Sequence, residues 1–264
     1  MFNSIFGKTV YEKRWIILAW FGGLAFMGFL TMFFFPYLKN SFGAISNSIP
    51  KSLEAVLGNA SSYQTVRGYV SEQIFALRMP LISLIMSISI FIGLSGGDEE
   101  RGTLETLLAQ PVSRAKVFWQ KFAAGGAITA LASVGIWLGV VLSFPFIHGS
   151  MSLWNLALAT FACWLVSLAF GALAYGFGAA IGAKGAAIGI VSAFAFLSYL
   201  VTSLAPSVNK LQQAQKASLL YYYNTPSVTL NGLHIANILV LIGVCVVACL
   251  VSLLIFTHRD LRKT

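Results

Sequence analysis

Six long apolar stretches, at about 15–38, 79–96, 122–147, 154–181, 186–204 and 234–257, leave this chain almost no fold other than a bundle of helices in a lipid bilayer. A helix rises 1.5 Å per residue, so each stretch is long enough to cross roughly 30 Å of hydrocarbon. No water is present at that depth, and a helix satisfies its backbone amides and carbonyls within itself. Composition agrees: 58% of residues are hydrophobic and 9% charged, against roughly 25% charged in a soluble domain. The expected fold is therefore all-α: a polytopic membrane protein of six transmembrane helices forming one domain over residues 1–264.

A formal charge of +9 would suit nucleic acid if the basic residues shared one face of a folded domain. They flank the apolar stretches instead, which is the pattern left by retention of lysine and arginine on the cytoplasmic side during insertion. Eleven of the seventeen basic residues fall on one side: Lys8, Lys13, Arg14, Arg101, Arg114, Lys116, Lys121, Lys184, Arg259, Arg262 and Lys263. Both termini are expected in the cytoplasm, and no nucleic acid partner is expected. Lys8, Lys13 and Arg14 precede an apolar stretch longer than a signal-peptide core and without a small-residue cleavage pattern, so the first span is expected to remain. Cys163, Cys245 and Cys249 all lie inside apolar stretches, with no Cys-x-x-Cys pair, so they read as small buried side chains rather than disulfide or metal ligands.

Between the spans, residues 1–14 alternate apolar and basic groups in the manner of a helix lying along the membrane interface. Lys39 to Leu77 reads as an outer loop with short helices, broken by Pro50, Gly58, Asn59 and Gly68, and Arg78 marks the return. Gly182 to Gly185 is a short inner turn. Val208 to Tyr223 is expected to form an outer interfacial helix, with Tyr221, Tyr222 and Tyr223 at headgroup depth. The pairs Gly135 and Gly139, Gly178 and Gly182, and Gly185 and Gly189 permit close helix approach, within one bundle or between two.

The expected spans hold almost no ionisable residues, although ion-coupled transporters and pumps bind charge at mid-depth. Any driving energy must then come from elsewhere. The informative segment is Gly97 to Phe122, reading GDEERGTLETLLAQPVSRAKVFWQKF. Asp98, Glu99 and Glu100 are placed to favour the start of a helix at Gly102 or Thr103. Leu104, Leu107 and Leu108 then form an apolar face, Pro111 interrupts it, and Ser113 is placed to cap the helix leading into span three. A short exposed helix with an apolar face suits either a groove on a partner protein or the membrane interface. Catalytic and metal-binding residues are not expected on this chain.

The segment resembles the signature of ABC-2 type permeases, the membrane subunits of ATP-binding-cassette exporters. The likeness rests on Glu99, Glu100, Arg101, Gly102, Thr103, Leu104, Glu105, Leu107, Leu108, Pro111, Ser113, Arg114 and Lys121, in that order. It implies that residues 102–109 form a cytoplasmic coupling helix, and that the set from Glu99 to Arg114 contacts a separate ATPase subunit. Gly7 to Thr9 reads Gly-Lys-Thr but lacks the earlier glycine of a phosphate-cradling loop, so this chain carries no cofactor, and ATP and magnesium would be bound by the partner. The resemblance further implies two ATPase copies, a second copy of this chain or a homologous permease, and export across a prokaryotic plasma membrane. Two rivals stand beside it. A membrane scaffold or sensor paired with an ATPase would use the same loop, and an intramembrane hydrolase would use the Glu99–Glu100 pair, although no histidine converges on it.

Overall fold

The computed structural model describes residues 4–39, 64–103, 112–147, 149, 151–205, 208, 211–223, 228 and 232–258. Among these residues the chain is helical throughout its regular structure, and six helices are long and apolar enough to cross a membrane. A short helix, α1 (Ile5–Glu12), comes first. Ser4 caps it by accepting from the Gly7 amide, and Gln120 Oε1 accepts from the Ile5 amide at 2.9 Å, so its exposed first turn is tied to a later span. After a break at Lys13, α2 (Arg14–Phe33) opens the first spanning stretch, which runs on to Lys39.

The second span differs from the expected 79–96. Helix α3 (Val66–Leu94) starts well before Arg78, with a π-helical section at Val70–Arg78. Gly68 and Glu72, read as loop residues, and Arg78, read as marking the return, lie inside this helical stretch. The misreading has a simple cause: hydropathy records how much oil a segment prefers, whereas a helix continues into the headgroup zone wherever its hydrogen bonds are kept. Two tyrosine hydrogen bonds tie this stretch to other parts of the chain. Tyr69 donates to the Thr31 carbonyl at 2.9 Å and Tyr223 donates to the Phe75 carbonyl at 3.0 Å. Residues 40–63 of the expected outer loop lie outside the described residues.

A short helix, α4 (Gly96–Glu100), follows directly. Helix α5 (Arg114–Ile147) is the longest, with 34 residues, or about 51 Å against a hydrocarbon core of ~30 Å. Its first turns therefore project beyond the core, and the helix starts eight residues before the expected 122. Ser113 Oγ accepts from the Lys116 amide, as expected of a cap. Helices α6 (Leu153–Ile181), α7 (Lys184–Leu204) and α8 (Ile235–His258) fall close to the expected spans. The proposed outer helix at 208–223 is broken: Leu211–Ala214 is α-helical, Gln215–Ala217 is a 3-10 turn, and Ser218 is extended. Ser218 Oγ donates to the Ser198 carbonyl at 3.1 Å, so the segment turns down onto the end of α7 instead of continuing as one helix.

Helices α6 and α3 are central; 67% and 65% of their most apolar windows are buried, against 22% for the spans containing α2, α7 and α8. Helix α6 packs against α3, α5, α7 and α8, and α2 lies along α5. That last contact settles one of the small-residue pairs. A Cβ on Gly135 would run into the Phe21 carbonyl, and one on Gly139 into the Ala25 carbonyl, so both glycines serve packing within one bundle. Gly178 faces Ser95 and Gly96 and also packs internally, while Gly185 and Gly189 face open space. The three cysteines are buried in the spans.

A charged turn joining four helices at the basic end of the bundle

The ends of α1, α3, α5 and the α6–α7 turn converge on α4, the segment that carries the acidic signature. The approach is close: a Cβ on Gly96 would lie 3.2 Å from the Gly178 carbonyl and 3.5 Å from the Lys184 amide nitrogen. A side chain here would force the neighbouring backbone to give by a few tenths of an ångström.

Asp98 occupies the centre. Its Oδ2 accepts from Lys121 Nζ at 2.6 Å and its Oδ1 from Arg101 Nη2 at 2.5 Å. Lys121 is 3% exposed at its side chain, Asp98 15% and Arg101 53%. Burial pushes the Asp98 carboxyl up, but the adjacent Lys121 ammonium and Arg101 guanidinium outweigh it and hold the group below its ordinary 3.8. Arg101 also donates to the Gly93 carbonyl at the end of α3, and Thr103 Oγ1 donates to the Asp98 carbonyl. Gly102 then turns the chain with φ of +69°, a left-handed conformation that a residue with a Cβ adopts only with strain.

Glu100 points the other way. Its Oε1 accepts from the Lys184 amide at 2.7 Å, filling one of the amide positions left open at the start of α7. Glu99 is buried, 3% exposed, on the side facing Lys121, Tyr175 and Phe256. At the start of α5, an Arg114 nitrogen lies 3.5 Å from the Phe256 and Thr257 carbonyls, where a cation meets the open carbonyls ending α8. The helix expected to begin at 102 or 103 lies, beyond Thr103, outside the described residues. Asp98, Glu99 and Glu100 are themselves helical, and their carboxylates engage or face other elements.

Of the residues expected to contact a partner, Glu99, Glu100, Arg101, Gly102 and Thr103 share this turn, and Ser113 and Arg114 open α5. Leu104, Glu105, Leu107, Leu108 and Pro111, and with them the body of the expected coupling helix, lie outside the described residues. Asp98 and Lys121, which hold the turn together, were not among the residues expected to contact a partner. Asp98 stands three residues from Arg101, a legible helical pairing distance. Lys121 was assigned to the loop because α5 was expected to begin later, whereas it sits two turns inside the helix. Gly7, Lys8 and Thr9, the Gly-Lys-Thr string, lie within α1 and form a helix rather than a phosphate-cradling loop.

Residues 6–261 match the model of a family described as ABC-2 family transporter protein. No curated protein matches the chain. That match spans all six candidate membrane helices together with the α4 turn. The chain belongs to the ABC-2 family of transporter proteins, as a multi-pass membrane permease component of an ABC transporter.

Proposed function

We propose that this permease couples ATP hydrolysis by a separate ATPase subunit to export of a substrate, and that the segment from Glu99 to Arg114 is where the ATPase docks. The observation that carries the reading is the wiring of α4. The five-residue helix and the arginine that ends it are bonded through Asp98 to α5, through Glu100 to α7 and through Arg101 to α3. A push delivered at residues 102–109 is thereby passed to three spans at once, which is what a rigid coupling element needs. ATP binding closes the ATPase pair, the coupling helices move with it, and the bundle exchanges inward-open and outward-open arrangements. In this reading both termini are cytoplasmic, the membrane is a prokaryotic plasma membrane, and two ATPases serve two permease chains.

The test is co-purification from mild detergent. Glu100 and Arg101 carry bonds within the chain, so Leu108→Asp with Glu105→Lys is the cleaner loop variant. The expected result is a stoichiometric ATPase with the wild type and its loss from a variant that still inserts. Purification of the wild type alone, or retention of the ATPase by the variant, overturns the docking assignment.

A further inference from the structure

Helix α1 does not lie flush against the bundle. Between it, the end of α3, α4 and the second turn of α5 is a cavity of ≈ 330 Å³. Its cations are Lys8, Lys13, Arg101 and Lys121, and its carboxylates are Glu12 and Asp98. Both carboxylates are engaged: Asp98 by Lys121 and Arg101, and Glu12 by Lys8 at 3.8 Å. Lys13 makes no ion pair among the described residues. Four cations against two carboxylates leave a surplus of two positive charges around one cavity. Gln120 Oε1 accepts from the amide of Ile5, itself a lining residue, and so ties the start of α1 to α5 at the edge of the cavity.

Position selects the kind of anion. The cavity opens where Leu94 ends α3 and Lys13 separates α1 from the first span, so it lies at headgroup depth. Ile5 and Leu94 add apolar wall beside the cations. A phosphate joined to a hydrocarbon body meets both surfaces, whereas a soluble phosphate leaves the apolar wall unused. We propose that the cavity binds the phosphate of an anionic phospholipid, with Lys8 and Lys13 pairing to it and Ile5 and Leu94 against its glycerol and first methylenes. The lipid then bridges α1 to the end of α3, beside the charged turn. This binding belongs to the permease chain alone, so it stands or falls separately from ATPase docking.

Delipidated protein in a neutral detergent is titrated with phosphatidylglycerol, with phosphatidylcholine of the same chains, and with inorganic phosphate, and bound lipid is counted by native mass spectrometry. One phosphatidylglycerol per chain is expected to bind more tightly than further copies and than phosphatidylcholine. Lys8→Gln with Lys13→Gln should weaken it roughly thirtyfold. Lys8→Arg with Lys13→Arg should retain it, and Lys184→Gln, which removes a cation outside this cavity, should leave it unchanged. If the double glutamine variant does not yield folded protein, Lys13→Gln alone carries the comparison, with roughly a fivefold loss. Unchanged affinity in the glutamine variants, or an equal loss in Lys184→Gln, overturns the site. Full displacement of the lipid by millimolar inorganic phosphate overturns the lipid assignment in favour of a soluble anion.

Discussion

Asp98→Asn leaves the Lys121 ammonium, 3% exposed, without the carboxylate that stands 2.6 Å away. Removing one partner of a buried ion pair costs about 3–5 kcal/mol, because the remaining charge is stranded in a poor solvent for it. Lys121 borders the cavity under α1, and its flexible stem can carry the charge toward that opening, so the low end of the range, ~3 kcal/mol, is expected. Lys121→Met is milder. Asp98 keeps Arg101 at 2.5 Å, and the loss is that of one hydrogen bond to a charged group, ~2 kcal/mol. Asp98→Asn with Lys121→Met removes both charges and is expected to be more stable than Asp98→Asn alone, since an apolar pair of similar volume replaces a buried ionic one at little net cost. Equilibrium unfolding in mixed micelles at neutral pH measures all three, and ~3 kcal/mol is about a hundredfold in the unfolding constant. The sign of the pH dependence follows from the lowered Asp98 pKa. An acid lowered by folding stabilises the native state above its unfolded pKa and loses that contribution as pH falls through the folded one. The Asp98→Asn penalty should thus be flat from roughly pH 5 to 8 and shrink below about pH 4. A Lys121→Met variant less stable than Asp98→Asn, or a double variant showing the plain sum of the two losses, would refute the picture of a stranded lysine.

Glu100→Ala should destabilise by ~1 kcal/mol through loss of the bond to the Lys184 amide, whereas Glu100→Gln keeps an acceptor and most of that stability; faster amide hydrogen exchange at the start of α7 in the alanine variant alone is the readout. Gly135→Ala drives a Cβ into the Phe21 carbonyl and should cost about 1–3 kcal/mol. Gly189→Ala meets nothing within 4 Å and should be neutral or stabilising by up to ~1 kcal/mol; thermal melts of the two in one detergent distinguish them. Tyr223→Phe removes the donor to the buried Phe75 carbonyl and should cost ~1 kcal/mol or somewhat more, with increased exchange confined to Val70–Arg78.

The fold class was legible because transfer of a helix into hydrocarbon depends on summed composition, and composition survives without coordinates. Spans at α2, α6, α7 and α8 fall close to their hydropathic limits for that reason. The limits of α3 and α5 did not follow from hydropathy. Glu72, Arg78 and Lys121 are charged and were placed outside the spans, yet helical hydrogen bonding carries the chain through them at the ends of the spans. The same error hid Lys121 as the partner of Asp98, since the two are 23 positions apart and only the docking of α4 on α5 brings them to 2.6 Å.

The acidic signature shows the division most clearly. Its order of residues, Glu99 to Arg114, was enough to suggest the family, because a motif is a local string. What each carboxylate does was not in the string. Local reasoning explained part of the cluster by the start of the next helix, and the folded chain adds what it could not give: Asp98 goes to α5, Glu100 goes to α7 and Glu99 is buried. Small residues carry the same lesson. Gly135 and Gly189 belong to identical four-residue spacings, and the first lies against the Phe21 carbonyl while the second faces open space. Sequence alone determined that this chain is a helical membrane protein with one charged turn of family type, since local hydrogen bonding and solvent transfer are set residue by residue. Tertiary structure decided which charges meet, which glycines touch and where α1 leaves a cavity, because those depend on distances between helices that no spacing along the chain encodes.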